Sequence, residues 1–335
     1  MVFITGGTGF LGAHLIHLLL LKGDHIIALK RPTSKFDLFN RVFAFYNDDA
    51  ESLSGKLEWF EGDLLDPGSL DEAISHNISK VYHAAAIVSF QPKDRDEMMH
   101  TNIVGTANLV NASLNKNVRK LCHVSSIAAI GRSENHQIID ENVLWKSSKR
   151  NSNYAVSKYG AEREVWRGIE EGLPAVIINP SVILGPGEIN SGTGKMISIV
   201  LKGLMFYSRG SNGFVDVRDV VSIIELLAES DIAGERFIIS AENLSYKQLF
   251  TMIAESTGKA PPRLRSGHLM GQMAWRLSYV YGKFTRTKPL ITRETAITAG
   301  NDYLYSNRKI SEALNYQFSS VKKAIEDSCR YYMKG

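Results

Sequence analysis

Cysteine is scarce in this sequence. Cys122 and Cys329 are the two cysteines among 335 residues, which is too few for the disulfide framework that stabilises small secreted domains. Because thiols stay reduced inside cells, this usage favours a reducing, cytoplasmic location. The composition therefore excludes a disulfide-dependent fold.

Long apolar runs and a strong charge of one sign are missing as well. No uninterrupted apolar stretch reaches the roughly 18 residues that a membrane span needs, and no basic segment leads into the apolar core and cleavage site of a signal peptide. The net charge of +4 is too small over this length for nucleic-acid binding by bulk charge. We therefore expect neither an integral membrane segment nor a nucleic-acid partner.

What is present is the composition and pattern of a globular α/β protein. Hydrophobic residues make up 44% of the chain and charged residues 22%, as in ordinary globular domains. Short apolar runs alternate with segments of helical periodicity as far as residue 180. The runs lie at 1–4, 26–29, 57–60, 81–83, 120–124 and 175–178. This alternation predicts a Rossmann-type doubly wound parallel sheet with helices on both faces.

The pattern becomes irregular after residue 180, where the glycine-containing runs 185–187 and 191–194 predict loops. Two later strand-like runs, 214–217 and 236–239, are expected to return to the parallel sheet. The remaining segments predict a smaller, mostly helical C-terminal lobe that binds the substrate. The predicted boundaries are 1–180 with returning segments at about 214–240 for the domain that contains the parallel sheet, and 181–213 with 241–335 for the lobe.

The strongest local motif is a glycine-rich turn between the first strand and the first helix. Glycines recur at Gly6, Gly9 and Gly12. Phosphate binding needs a tight turn, a close backbone approach and the N–H groups of a helix N-terminus. The motif therefore predicts dinucleotide binding. The residues expected to contact the cofactor here are Thr5, Gly6, Thr8, Gly9, Phe10, Leu11 and Gly12.

The end of the second strand bears on which dinucleotide is bound. An NAD-binding protein places Asp or Glu about 20 residues after the glycines, where it accepts hydrogen bonds from the ribose. This chain has Lys30 and Arg31 there, and two cations can hold a 2′-phosphate by charge-assisted hydrogen bonds. The sequence favours NADP(H), with NAD as the alternative cofactor and a solvated basic loop as the competing interpretation.

Two later strand ends are candidates for further cofactor contacts. Asp63, followed by Leu64, could accept a hydrogen bond from the adenine amino group. The alternative is an acid that stabilises a turn or caps a helix, a role that suits Asp66 better. Small side chains after the fourth strand would let a cofactor lie against the backbone. They are Ala84, Ala85 and Ala86.

The candidate chemistry lies in a tyrosine, a lysine and a pair of serines. A four-residue spacing places Tyr154 and Lys158 on one helix face, one turn apart. A free phenol has a pKa near 10, and a neighbouring ammonium favours the phenolate, so we expect Lys158 to lower the pKa of Tyr154. Ser125 and Ser126 end a predicted strand, where a hydroxyl could hold the substrate oxygen.

Together these motifs resemble those of a known family, the extended short-chain dehydrogenases/reductases, which include NAD(P)-dependent epimerases and dehydratases. Arg31 and the run 125–131 are more similar to the dihydroflavonol-reductase-like and 3β-hydroxysteroid-dehydrogenase-like branches than to sugar epimerases. The matching motifs extend over nearly the whole chain. They are the turn at 5–12, Gly62-Asp63-Leu64, the segment 102–106, the segment 123–126, the segment 154–158, Asn179-Pro180 and the segment 214–220.

The resemblance implies a role for each matching residue. Tyr154 would be the acid/base, and Lys158 would lower its pKa and hydrogen-bond the nicotinamide ribose. Ser126 matches the substrate-orienting serine better than Ser125, and Asn102 matches an asparagine linked in some members to a proton-relay water. The resemblance also implies a homodimer that packs the segments 94–115 and 154–171. Further expected cofactor contacts, of which the last two border the nicotinamide, are Ser125, Pro180 and Ser181.

Three functions are open from the sequence. The first is an NADP(H)-dependent oxidoreductase that transfers hydride to an aldehyde or ketone. The second is a nucleotide-sugar epimerase or dehydratase with retained NAD(P). Ile130-Gly131 disfavours it, because epimerases often have Tyr-Gly there, whereas Asn179-Pro180 resembles a sugar-nucleotide-binding position. The third is a non-catalytic NADP-sensing protein, which the intact Ser-Tyr-Lys set disfavours.

Two other features are considered for ligand binding. His14 and His17 lie three residues apart without a third ligand, so no metal site is expected. The segment 256–293 contains eight Lys or Arg residues and no Asp or Glu, with apolar residues at helical spacing. It predicts an amphipathic helix packed on the lobe. A rim that attracts an anionic substrate and a contact with an acidic membrane surface are the alternatives.

Overall fold

The computed structural model describes residues 1–46, 54–74, 77–131, 138–148, 151–267, 273, 275–276 and 299–334. A parallel sheet forms the centre of the fold. Its strands are β1 (Val2–Thr5), β2 (Ile26–Lys30), β3 (Leu57–Glu61), β4 (Lys80–His83), β5 (Lys120–Val124), β6 (Ala175–Pro180) and β10 (Glu235–Ile239). They are ordered β10-β6-β5-β4-β1-β2-β3, and every neighbouring pair is parallel.

Helices cover both faces of this sheet. Successive residues of a strand point to opposite faces, so Val2 and Ile4 enter one apolar core whereas Phe3 enters the other. The helices that pack on the first face are Phe10–Leu21, Asp37–Phe45 and Val217–Glu229. Those on the second face are Pro67–Ala73, Gly105–Asn115 and Asn153–Glu170. The predicted doubly wound Rossmann-type architecture is confirmed.

The strand predicted at 214–217 belongs to a different sheet from the one expected. A three-stranded sheet has the order β11-β9-β7. Its members are β7 (Val182–Leu184), β9 (Ser211–Asp216) and β11 (Glu242–Ser245). The prediction that 214–217 returns to the main sheet was wrong, because an apolar run indicates burial without naming its partner strand. The run at 236–239 does return, as part of β10 beside β6.

A third apolar core lies among the later elements. Phe214 packs there with helices Gly192–Leu201, Tyr246–Ser256 and Val321–Lys334. A two-stranded sheet pairs β8 (Phe206–Tyr207) with β12 (Leu264–Arg265). The remaining short elements are the helices Arg95–Met99 and Arg308–Leu314, the π-helical turn His100–Val104, and the 3₁₀ turns Ser54–Lys56, Pro92–Asp94 and Ile127–Ala129.

Two predictions concern parts of the chain after residue 190. Residues 191–194, expected as a loop, instead begin the helix Gly192–Leu201. Most of the basic segment 256–293, including most of its predicted helix, lies outside the described residues. Across the described ranges, none of the helices is both long and apolar enough to cross a membrane.

Candidate active site

Two glycines of the glycine-rich turn make close backbone contacts. Gly6 has a φ of +76°, a conformation that favours glycine. A Cβ on Gly6 would lie 2.6 Å from the backbone nitrogen of Ala85, and a Cβ on Gly12 would lie 2.1 Å from the carbonyl oxygen of Gly6. The turn therefore packs against the chain after β4, and the helix Phe10–Leu21 packs against the turn, only because these side chains are absent.

The N-terminus of that helix suits an anion. Gly9 occupies the N-cap position without a side-chain hydrogen bond, and the first turn contains no acidic residue. The first N–H groups of a helix lack intrahelical partners and form the positive end of its dipole. At the carboxyl end of β1, these groups can hold a diphosphate.

The two cations predicted to select the cofactor differ in their surroundings. Lys30 ends β2, and its Nζ lies 3.3 Å from Oε2 of Glu61 on the neighbouring strand β3. Arg31 follows with an exposed side chain, while its backbone N–H donates to Oγ of Ser34 at 2.9 Å. Arg31 is therefore the better placed of the two to meet a ligand at this strand end.

Asp63 stabilises a local turn. Its Oδ1 accepts a hydrogen bond from the N–H of Leu65 at 2.9 Å, so the structure supports the turn interpretation for this carboxylate. Leu64 between them is buried. Asp66 caps the helix Pro67–Ala73, because its Oδ1 accepts from the N–H of Gly68 at 3.0 Å. The predicted cap is confirmed.

Tyr154, Lys158 and Ser126 come together at the carboxyl end of β5. Tyr154 is half-buried on the helix Asn153–Glu170, and its phenol lies close to the hydroxyl of Ser126. Its ring lies 5.8 Å from that of Phe90, centroid to centroid. One turn later Lys158 is 2% exposed, and its Nζ donates to the carbonyl oxygen of Val124 at 2.7 Å.

Burial controls the ionisation of both groups. Removal from water raises the pKa of Tyr154, and the nearby hydroxyl of Ser126 acts in the opposite direction. The expected lowering of this pKa by Lys158 was wrong for this structure: desolvation of the phenolate raises the pKa, and the effect that opposes it comes from Ser126 and not from Lys158. Burial lowers the pKa of Lys158 to about 8, against the attraction of Glu162.

Asn102 connects the helix Asn153–Glu170 to the loop after β4. It lies in the π-helical turn His100–Val104, and its Nδ2 donates to Oγ of Ser157 and to the carbonyl oxygen of Ile87, each at 3.0 Å. Its Oδ1 accepts from the N–H of Ile87 at 2.8 Å. Ser157 in turn donates to the carbonyl oxygen of Tyr154 at 2.8 Å. Asn102 is thus placed beside the site, and its proton-relay role stays a prediction.

A family model matches most of the chain. Residues 2–240 fit the model described as the NAD dependent epimerase/dehydratase family. The chain belongs to this family. The span contains the glycine turn and the three residues Ser126, Tyr154 and Lys158, so the predicted resemblance to extended short-chain dehydrogenases/reductases is confirmed.

Similar members of the NAD dependent epimerase/dehydratase family include proteins named as reductases. The chain is 30% identical to a Synechocystis sp. protein, named provisionally as a dihydroflavonol 4-reductase, over 98% of this chain and 94% of that protein. It is 26% identical to cinnamoyl-CoA reductase 1 of Petunia hybrida, over 98% of this chain and 91% of that protein. The crystal structure of gox2253 is 30% identical, with a TM-score of 0.81, and the match covers 100% of this chain and 98% of that one. The chain is therefore an NAD(P)-dependent oxidoreductase or epimerase of the extended short-chain type.

The residues present fit the family's dinucleotide. The turn would lose its close approach to Ala85 if Gly6 carried a Cβ, and the uncapped helix after it offers N–H groups without a competing acid. Thr5 is buried beneath the turn, and its Oγ1 lies 2.7 Å from Nδ1 of His83. The residues that would hold the cofactor lie at the carboxyl edge of the main sheet. They are those of the turn, Lys30, Arg31, Lys158 and Tyr154.

Three further predicted contacts lie at the carboxyl ends of β5 and β6. Ser125 is buried, and its N–H donates to the carbonyl oxygen of Ile178 at 2.8 Å. Pro180 ends β6, and the N–H of the next residue, Ser181, donates to the carbonyl oxygen of Ile239 at 2.9 Å. Their contacts with a nicotinamide stay predictions.

Sequence reasoning missed several buried polar residues next to this site. His83 and His123 lie with their ring centroids 5.0 Å apart. Glu162 contacts Arg236 from β10. The four-residue step from Lys158 to Glu162 is a signal that could have revealed the carboxylate. Within the described ranges, His, Cys, Asp and Glu form no group of three or more that could hold a metal ion.

Proposed function

We propose that the chain is an NADP(H)-dependent reductase of an aldehyde or ketone, with Ser126, Tyr154 and Lys158 as its catalytic residues. The pairing of Ser126 with Tyr154 carries the proposal, because it places two hydroxyl groups where one substrate oxygen can accept from both. Arg31 supports NADP(H) over NAD, since it supplies a cation where an NAD-binding protein places an acid. The reductase names of similar family members support the same reaction class.

The residues suit the direction of reduction. When bound, NADPH supplies the hydride. Ser126 orients the substrate oxygen by a hydrogen bond, and Tyr154 donates the proton that this oxygen needs as negative charge develops on it. Because burial raises the pKa of Tyr154, the phenol keeps its proton near neutral pH, which is the form a proton donor requires. Lys158 supplies a positive charge close to the site.

The surroundings favour an apolar carbonyl compound over a nucleotide sugar. The Phe90 ring stands edge-on to Tyr154, and the chain after Ser126 continues with Ile127 and Ala128, both half-buried. The amide of Asn179, a residue in a motif that resembled a sugar-nucleotide site, donates to Ser126 and Glu162. An apolar wall stabilises an apolar substrate by about 25 cal/mol for each Å² removed from water.

Absorbance at 340 nm tests this proposal. The purified chain is mixed with NADPH or NADH and a panel of aromatic and aliphatic aldehydes, ketones and thioesters, with UDP-sugars as a separate arm. We expect stoichiometric oxidation of NADPH by a carbonyl substrate. Tyr154→Phe should lower kcat by about 100-fold or more, because it removes the proton donor.

The control is Tyr159→Phe. It removes a tyrosine hydroxyl from the same helix and keeps the ring that stacks on Trp145. It should keep most of the activity. Conversion of a UDP-sugar without net change at 340 nm, or full activity of Tyr154→Phe, would contradict the proposal. We extend the proposal to a cytoplasmic homodimer formed through segments 94–115 and 154–171, which stays a prediction.

A further inference from the structure

Three ionisable residues follow one another along a single face of the helix Asn153–Glu170. Tyr154, Lys158 and Glu162 are separated by four residues each, so each lies one turn from the next. Lys158 is 2% exposed and Glu162 is 1% exposed. A buried carboxylate therefore lies one helical turn after the buried ammonium of the proposed catalytic site.

Contacts from two strands hold Glu162 in place. Nδ2 of Asn179, on β6, donates to Oε1 of Glu162 at 2.5 Å and to the carbonyl oxygen of Ser126 at 2.9 Å. Nη1 of Arg236, on β10, lies 3.6 Å from Oε2 of Glu162. Asn179 thus joins the carboxylate to the backbone of the serine that pairs with Tyr154.

The charges around this face leave Glu162 as the counter-charge of Lys158. Burial lowers the pKa of His83 to about 3 and the pKa of His123 well below its ordinary value, so both rings are neutral near pH 7. Arg236 faces Glu162, and the carboxylate of Glu141 accepts from the N–H of Ile238 at 2.7 Å. The attraction of Glu162 raises the pKa of Lys158, against the burial that lowers it.

Ionisation of Glu162 itself depends on opposing effects. Burial raises the pKa of this carboxyl, whereas hydrogen bonding by Asn179 and the charges of Arg236 and Lys158 lower it. Oε1 of Glu162 has a hydrogen-bond donor in Asn179, whereas Oε2 accepts no hydrogen bond from the described residues and meets the guanidinium of Arg236 only at 3.6 Å. The carboxylate is therefore stabilised by one hydrogen bond and by nearby positive charge.

We propose that Glu162 is a positioning residue of this site: its carboxylate keeps Lys158 charged and, through Asn179, fixes the backbone of Ser126. Neither role is implied by the family motifs, because the motif at 154–158 ends at Lys158 and no other motif includes Glu162. The consequence for catalysis rests on the proposed function of Tyr154 and Lys158, but the electrostatic part does not need a substrate or cofactor. It can therefore be tested separately.

Direct titration of Lys158 tests the electrostatic part. The protein is labelled with ¹³C-lysine, and the ¹³Cε resonance of Lys158 is assigned by its loss in Lys158→Arg. In the unsubstituted protein the titration midpoint should lie near the pKa of about 8. Glu162→Gln, which keeps the volume and an acceptor for Asn179, should shift that midpoint to lower pH by about one pH unit.

Glu171→Gln is the matched control. It removes one negative charge from the C-cap of the same helix, where Glu171 pairs with Arg167 at 2.7 Å, and it should leave the Lys158 midpoint unchanged. An unchanged midpoint in Glu162→Gln would overturn the proposal. If that variant does not fold, as judged by circular dichroism, Glu162→Met provides the neutral side chain and the same outcomes apply.

The catalytic part is tested by the pH profile of kcat with the carbonyl substrate found above. The alkaline limb should move to lower pH in Glu162→Gln by the same amount as the Lys158 midpoint, and Glu162→Asp, which restores the charge, should move it back. A lower kcat with an unmoved limb would show a structural role only and would overturn the proposal. If the unsubstituted protein reduces no carbonyl, the proposed function fails while the titration result stands.

Discussion

Replacement of Arg31 by alanine should weaken NADPH binding and leave NADH binding nearly unchanged. Arg31 follows β2 with an exposed side chain, where the family fold places the adenosine ribose of the cofactor. NADPH carries a 2′-phosphate there and NADH does not. The substitution therefore removes a contact that only one of the two cofactors can make.

The magnitude follows from the type of bond lost. A hydrogen bond to a charged group contributes about 1.5–3 kcal/mol, and 1.4 kcal/mol is a factor of ten in Kd. We expect the Kd for NADPH to rise by about 10- to 150-fold. Lys30→Ala should have a smaller effect, because Nζ of Lys30 already lies 3.3 Å from the Glu61 carboxylate.

Titration calorimetry of both cofactors at about 0.15 M salt, with each variant, measures these differences. At that ionic strength the Debye length is about 8 Å, so an effect that persists reports a local contact and not long-range attraction. An unchanged ratio of the NADPH and NADH dissociation constants in Arg31→Ala would refute the assignment of Arg31 to the 2′-phosphate.

Two further predictions concern the glycine turn and the buried histidines. Gly12→Ala should abolish detectable dinucleotide binding in the same calorimeter, because its Cβ would meet the Gly6 carbonyl oxygen at 2.1 Å, whereas Gly55→Ala, with open space around it, should bind normally. Burial lowers the pKa of His14 to about 4 from an ordinary value of 6.5, so the unfolded chain binds more protons between these values and stability falls as the pH falls through that window. The loss from His14 alone should approach about 3 kcal/mol at pH 4. Equal free energies of unfolding in urea at pH 7 and at pH 4.5 would contradict this prediction.

The central strands of the main sheet could be predicted because they are buried on both faces. A parallel strand between two helical layers is a continuous apolar run, as in Ile26–Lys30 and Ala175–Pro180. The partner of β9 could not be predicted, since pairing depends on contacts with β7 and β11 that no local pattern encodes. The helix Gly192–Leu201 was unexpected for a similar reason. Its glycines suggest a loop, and no local pattern encodes the packing contacts that stabilise it as a helix.

The candidate site likewise has some residues that the sequence predicts and others that only the fold reveals. The closeness of Tyr154 and Lys158 and the position of the serine pair were predictable because spacing along one helix and position at a strand end are local properties. The choice of Ser126 within that pair came from the family resemblance. The contacts of Glu162 with Asn179 and Arg236 join three separate elements, so only the fold brings them together. The raised pKa of Tyr154 was missed for a related reason, because burial depends on the surroundings and not on the neighbouring lysine.

The π-helical turn at His100–Val104 sets the angular phase of everything that follows it. An α-helix advances each residue by about 100° around its axis, and a wider turn accommodates one additional residue. Thr106, whose Oγ1 lies 2.9 Å from Nε2 of His83, and the core residue Leu109 both come after that turn. One inserted position therefore lets Asn102 hydrogen-bond with Ser157 and Ile87 while its successors still point inward to the sheet.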